Sequence, residues 1–453
     1  MKKEKILYVV HCIDTEGPLK EPLVETFLRI EQIFGIKISP TRENLLKLQT
    51  GKIDLGDSTE AVKKLCDPKL ISFNENWDDI SHMLSIIGSS EFRKNYRDSI
   101  GAGWLYNWFC LDHVGYETNP RYRDLGHHKV YDFYTTHCGR ASNKQDKIFF
   151  HYHPLPFNKM AHSSATFYFN SNHLFEIFSR KIIDRSWFPS VFRPGFHTIR
   201  PDSNWFLEQW IPFDYSNQAS ESEIDQPDLS DGRFGDWRRA PKIWGSYHPS
   251  HDDYQTPGNC RRSIFRCLNM KARLRQLNEF EVNDAFKQAD NKGEAVLSFT
   301  NHDFRDMKSE IDSVYTMIKK VEKSWPNVKF RYLNALEAAR MFLGMKKIDL
   351  LDLNIKIEQK NKEHHELLIH TKYPVFGPQP FLALKSKKGL YFHDNLDYEI
   401  IKNGWKYTLD WQTFPLQSLE KIGVAAVGSA GQVEVIVMDI STGDVKKTKL
   451  NYK

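Results

Sequence analysis

Short apolar runs alternate with amphipathic stretches over the first three quarters of the chain. Residues 6–13 form a β-branched-rich run without helical spacing, the pattern of a strand buried on both faces. It runs into Asp14-Thr15-Glu16-Gly17-Pro18, where Gly-Pro marks a turn. Ile148–His153 predicts a second strand, closed by Pro154 and Pro156. Residues 189–193 predict a short third one, broken at Pro194-Gly195. Residues 295–300 and Val328–Tyr332 predict two more. The spacing predicts helices over 41–50, stopped at Gly51, and over 76–88. A third carries Ile311, Val314, Ile318 and Val321 before Pro326, and a fourth spans Asn334–Leu343. Asp202 or Ser203 is placed to cap a helix bearing Trp205, Leu207 and Trp210.

Such alternation up to about residue 345 predicts an α/β fold on a parallel sheet or barrel. Beyond it the texture changes to short alternating runs, such as Val433, Val435 and Val437, with Ser441-Thr442-Gly443-Asp444 as a hairpin connector. The expected division is a larger domain over 1–345 and a small, sandwich-like antiparallel β domain over 346–453.

Composition narrows the function classes. The 453 residues are 40% hydrophobic and 27% charged, an ordinary globular mix. A net charge of +5, from 63 basic and 58 acidic residues, is too small to point to nucleic acid. No apolar run approaches the roughly 18 residues of a membrane span. Ile6–Val10 is shorter than the about 7–15 residues of a secretory h-region, so a cytoplasmic location is expected. Six cysteines (12, 66, 110, 138, 260 and 267) show no Cys-x-x-Cys and are expected as free thiols.

Four places could carry chemistry. Asp14-x-Glu16 ends the first strand, at the edge where α/β sheets and barrels place active groups, and offers a hard metal ligand and a separate base. His151-Tyr152-His153 places two imidazoles on one face of a strand, Cα atoms about 6.5 Å apart, within reach of one Zn²⁺. His162 lies close by in sequence. Arg193-Pro194-Gly195 can aim a guanidinium at a carboxylate and hold it ionised. Asn301-His302-Asp303 follows a late strand, and His302 there suits a general acid tuned by an acidic neighbour. Trp237, beside Asp236, could wall a sugar-sized pocket. For the pairs His127-His128, His364-His365 and His248/His251 an ordinary structural role is the expectation.

Taken in order, these features resemble the NodB-homology polysaccharide deacetylases, carbohydrate esterase family four, over roughly residues 5–345. The resemblance implies a distorted (β/α) barrel binding one divalent metal, Zn²⁺ first among the candidates. It implies Asp14 as base and Glu16, His151 and His153 as metal ligands. Arg193 would hold the base, and His302 would be the acid. Phe213-Asp214-Tyr215-Ser216 resembles the family's Tyr-Asp-Ser segment, and Asp236-Trp237 its fourth motif. Asp236, Trp237, Tyr152 and His162 are the expected substrate contacts. Two departures stand out. The histidines are spaced His-x-His where the family has His-x-x-x-His, which makes His162 the substitute ligand. The stretch between Glu16 and His151 is long, and residues 90–140, with Trp104, Trp108, Tyr116, Tyr122 and Tyr131, are expected as an insertion near the pocket.

The implied activity is metal-dependent hydrolysis of an N-acyl group, acetyl or formyl, on an amino sugar or glycan precursor of bacterial surface-polysaccharide biosynthesis. The expected partner is that carbohydrate, possibly in nucleotide- or lipid-linked form. Rival readings are a metal-independent glycoside hydrolase on a similar barrel and a non-catalytic glycan-binding or assembly protein.

Overall fold

The structure is a computed structural model and describes residues 4–170, 173–220, 235–270, 276–400 and 403–451. Its larger sheet holds β1 (Lys5–Thr15), β2 (Asn107–Cys110), β3 (Lys147–Tyr152), β4 (Val191–Pro194), β5 (Phe213–Asn217), β6 (Ser246–Tyr247), β7 (Ser263–Asn269), β8 (Glu294–His302) and β9 (Val328–Tyr332). Seven of these close into a parallel barrel in the order β1-β2-β3-β4-β5-β7-β8, because β1 pairs with β2 on one side and β8 on the other. At eleven residues β1 is long enough to serve two partners in succession. Lys5–Val9 pair with β9, and Cys12–Thr15 pair with β2. β6 adds antiparallel to β7.

Strand alternation sorts the barrel's side chains. One buried cluster draws on all seven barrel strands: Tyr8, Val10 and Cys12 with Phe109, Phe149, Val191, Phe213, Phe265 and Val296. Only the interior is reachable from every strand, so this is the barrel's filling. Leu7, Val9 and Ile13, on the opposite parity of β1, pack outward with helices Trp77–Ile87, Glu279–Lys292 and Lys308–Glu322.

Most elements read from the pattern are present within a residue or two. Asn76 forms a capping box with Asp79 at the start of Trp77–Ile87, and Thr41 caps Arg42–Gln49. Two readings need correction. Asp202 and Ser203 lie inside helix Pro201–Glu208, whose N-cap is Arg200, because Pro201 with its fixed φ takes the first helical position. Residues 90–140 are not simply an insertion, since they supply β2. Trp104, Trp108 and Tyr131 pack into the outer core rather than near the pocket, while Tyr122 is exposed. Large rings on strands and helices are drawn to apolar neighbours, and the helices beside β1 provide them.

After residue 345 the strands are antiparallel. β10 (Asn354–Gln359), β11 (His365–His370), β15 (Gly404–Leu409) and β14 (Asp397–Ile400) form one sheet in that order. β13 (Tyr391–Asp394), β12 (Phe381–Ser386), β16 (Leu419–Val427), β17 (Val433–Asp439) and β18 (Val445–Leu450) form the other. Leu382, Leu384, Ile422 and Val424 face the first sheet across a shared core with Leu367, Ile369 and Trp405. Phe381, Ala383, Ala425, Val433, Val435 and Val437 face the other way, onto helix His173–Arg185 beside the barrel. β12, β16 and β17 thus carry apolar residues on both faces, so the alternation of Val433, Val435 and Val437 is only one of the two buried faces of β17, with Ile436 on the other.

Candidate metal centre

Strand register brings distant motifs to one rim. Asp14 and His302 are direct partners across β1 and β8, and His151 and Arg193 across β3 and β4. Each has the parity of the interior residues on its own strand, so all four point inward at the C-terminal end of the barrel. Glu16 and His153 continue that parity just beyond their strands.

Three donor atoms converge there. Glu16 Oε1, His151 Nε2 and His153 Nε2 lie 3.0, 3.6 and 3.9 Å apart, and all three residues are buried. Ligand bonds of about 2.0–2.1 Å in a tetrahedron put donor atoms about 3.4 Å apart, so the spacing suits a small divalent ion. The tautomer also fits. His151 Nδ1–H donates to the Arg193 carbonyl at 2.9 Å, which leaves the Nε2 lone pair facing the other two donors. Burial pushes the His153 imidazole down to about 3, against the pull of Glu16, so this ring is neutral. His162 lines the same cavity but stays outside the donor set. His153 sits on the shared face because two-residue spacing returns a strand's side chains to one side.

Arginines hold the carboxylates. Arg193 Nε and Nη2 donate to the two oxygens of Asp14 at 2.6 and 3.0 Å. Burial opposes the charge on Asp14. Arg193, His151 and His302 override it and keep the carboxyl well below the usual range. Glu16 behaves alike: burial raises its pKa, but Arg123, 2.7 Å from Oε2, and the three histidines bring it to about 2. Oε1 is left toward the donor cluster. His302 Nε2 lies 4.0 Å from Asp14 Oδ2 and 3.7 Å from Glu16 Oε1. Arg305 donates to His302 Nδ1 at 3.3 Å, so the neutral ring carries its proton on Nε2, toward the site. Burial and Arg305 push this imidazole down to about 4, while the two carboxylates pull it up.

Asp303 does not tune His302. Its carboxylate accepts the Glu16 and Gly17 backbone N–H groups, each at 2.9 Å, and the Tyr134 hydroxyl. It therefore shapes the Asp14–Gly17 turn. Gly17 is required there: its φ is +73°, and a Cβ would meet the Trp77 ring at 2.9 Å. Gly195 is as constrained, since a Cβ would lie 2.0 Å from His153 Cδ2. Phe196 and His197, next in the chain, both take positive φ and line the cavity, a strained turn held at the rim.

Three expected substrate contacts lie elsewhere. Tyr152 has the opposite strand parity to its histidine neighbours and packs against Tyr168 in the core between barrel and sandwich. Trp237 is fully buried there, its indole N–H donating to the His197 carbonyl. It thus braces the strained turn from behind. Asp236 pairs with Arg238 at 2.8 Å, outside the cavity lining. The rim also holds residues with no motif to announce them: Arg123, Arg305 and His113, whose Nε2–H donates to the Glu16 carbonyl at 2.8 Å.

A cavity of about 300 Å³ opens over the donor cluster, lined by Asp14, Glu16, His151, His153 and His302 at one part and by Arg29, Arg121, Ile33 and Leu65 at another. No family model, curated protein or solved structure matches this chain. Among the described residues, no helix is long and apolar enough to cross a membrane.

Proposed function

We propose that the protein is a metal-dependent amidohydrolase on a polysaccharide-deacetylase type of barrel, removing an acetyl or formyl group from an amino sugar or glycan precursor in the bacterial cytoplasm. One observation carries the reading. The Glu16–His151–His153 donor set, the ionised Asp14–Arg193 pair and His302 all face the same few ångströms of one cavity.

Glu16 Oε1 and the two Nε2 atoms would hold the ion. A divalent ion, Zn²⁺ foremost, supplies Lewis acidity toward an amide carbonyl and acidifies water. The chain's own residues do the rest. Asp14 takes a proton from the attacking water, and Arg193 fixes both the charge and the direction of its carboxylate. His302 presents an N–H from the facing strand to the departing nitrogen. Water adds its oxygen to the acyl carbon, the C–N bond breaks, and the amine leaves with a proton. The proton that Asp14 takes from water replaces the one His302 gives to the amine, Asp14 Oδ2 lying 4.0 Å from His302 Nε2, so the ring ends neutral as it began.

The test is metal quantification on purified protein, followed by a screen for acetate and formate release from N-acyl amino sugars. Near one transition-metal ion per chain with metal-dependent release is expected. Stoichiometric metal without release from any amide, or release that survives full chelation, removes the proposal.

A further inference from the structure

The cavity over the donor cluster is lined by four arginines and two carboxylates. Arg29 comes from helix Leu23–Phe34, Arg121 and Arg123 from the loop after β2, and Arg305 from the turn after β8. Their acidic partners cover only part of their hydrogen-bonding capacity. Glu21, almost fully buried, bridges Arg29 at 2.8 Å and Arg121 at 3.1 Å. Glu16 takes Arg123. Five buried guanidinium nitrogens have no hydrogen-bond partner among the described residues: Nε of each of the four arginines and Nη1 of Arg123. Buried donors without acceptors are costly and uncommon. Planar guanidinium forks match phosphate oxygens in pairs.

The electrostatics agree. Arg121 is pushed down to about 10, first by burial and then by Arg29 and Arg123, against the pull of Glu21. His162 falls to about 3 through burial and the charges of Arg121, Arg123 and Arg29. The arginines repel one another inside a cavity that also has apolar walls at Ile33, Leu65 and Leu70. An ion held at Glu16 and the histidines would add to the excess.

We propose that this arginine cluster is an anion subsite, and that the substrate carries a phosphate group beside its N-acyl sugar. The subsite rests on the hydrolase reading only for what lies next to it. Its direct test needs no turnover. Inorganic pyrophosphate is titrated calorimetrically into chelator-treated protein at low salt. Saturable binding is expected, at least tenfold weaker in the E21Q/R29Q/R121Q variant, which removes the bridged charges together. If that variant misfolds by circular dichroism, Arg121→Lys serves, because one ammonium cannot replace a fork; at least threefold weakening is expected. Absent binding, or binding unchanged in the folded variant, overturns the subsite.

A second arm compares acyl release from N-acetylglucosamine 1-phosphate, a nucleoside-diphosphate N-acetyl sugar, a polyprenyl-phosphate N-acyl sugar and a neutral methyl glycoside. The best phosphorylated form should exceed the neutral one at least tenfold in kcat/KM, and its identity names the phosphate's source. Equal rates overturn the subsite. Pyrophosphate binding with no release from any of them leaves the subsite standing and overturns the hydrolase reading.

Discussion

Among the described residues, two places gather three metal-type donors within 4.8 Å of one another: Glu16, His151 and His153 at the barrel rim, and Glu208, His251 and Cys260 at helix Pro201–Glu208. Their inventories look alike, and their surroundings do not. At the rim all three donors are buried, and two are held from the rear: His151 by the Arg193 carbonyl, Glu16 by Arg123. The forward atoms therefore face one another. In the second cluster the forward atoms are already used. His251 Nδ1 lies 3.0 Å from Glu208 and 3.4 Å from Cys260, so both contacts fall on one ring nitrogen. Asn204 donates to the Cys260 sulfur, and the Arg261 backbone N–H to the other Glu208 oxygen. Burial, with Glu208, pushes the thiol up to about 11, and half of the His251 side chain is in solvent. Closeness of ligand-type residues is thus a weak sign. The direction in which their remaining hydrogen bonds run is a stronger one.

The contrast can be broken most sharply by counting metal. Glu16→Gln or His153→Ala should take occupancy from near one ion per chain to near none, while Cys260→Ala should leave it unchanged, as read by elemental analysis. Two ions per chain, or loss with Cys260→Ala, would erase the distinction. Turnover comes next: Asp14→Asn should lose about 10²–10⁴-fold in rate with the ion still bound, and full activity in that variant removes Asp14 from its role. Stability follows. Arg193→Gln leaves Asp14 buried and unpaired and should cost about 3–5 kcal/mol in denaturant unfolding. Arg261→Gln, half-exposed beside Glu208, should cost about 1 kcal/mol or less. Comparable losses would mean that the two clusters share one electrostatic character.

The smallest effect concerns acid. The folded pKa of Glu16 lies near 2, below its usual value. Its contribution is then complete above the unfolded carboxyl's range, about 4.3, and fades as pH falls toward 2. Metal-free protein should lose melting temperature across that window, and Glu16→Gln should flatten that limb of the curve. An unchanged slope would show that Arg123 does not hold Glu16 as described.

The rim residues that the chain announces are those tied to strand ends. Asp14, His151, Arg193 and His302 each close an apolar run, so the pattern that predicts the strand also places the side chain. Arg29, Arg121, Arg123 and Arg305 sit on a helix and loops whose periodicity says nothing about the cavity they reach. Glu21, which bridges Arg29 and Arg121, is similarly silent. β2, β5 and β7 are not legible in the pattern, because four to seven residues mixing Asn, Asp, Arg and Ser with aromatics carry little alternation. Trp237 and Tyr152 show the opposite failure. Their chemistry suits a sugar, but strand parity and a neighbouring apolar core decide where each ring goes.

The double pairing along β1 has a consequence for how the chain is made. Its partners β8 and β9 are 288 and 323 residues downstream, Ile6 pairing with Glu294 and Lys5 with Val328. During synthesis the Leu7–Ile13 run therefore emerges long before β8 and β9, and in the interval only the Cys12–Thr15 end of β1 has a partner, β2. Contacts of such sequence separation form slowly, and an unpaired apolar strand in the interval invites aggregation. Chaperone supply during expression should govern the soluble yield of this protein more than the stability of its finished fold does.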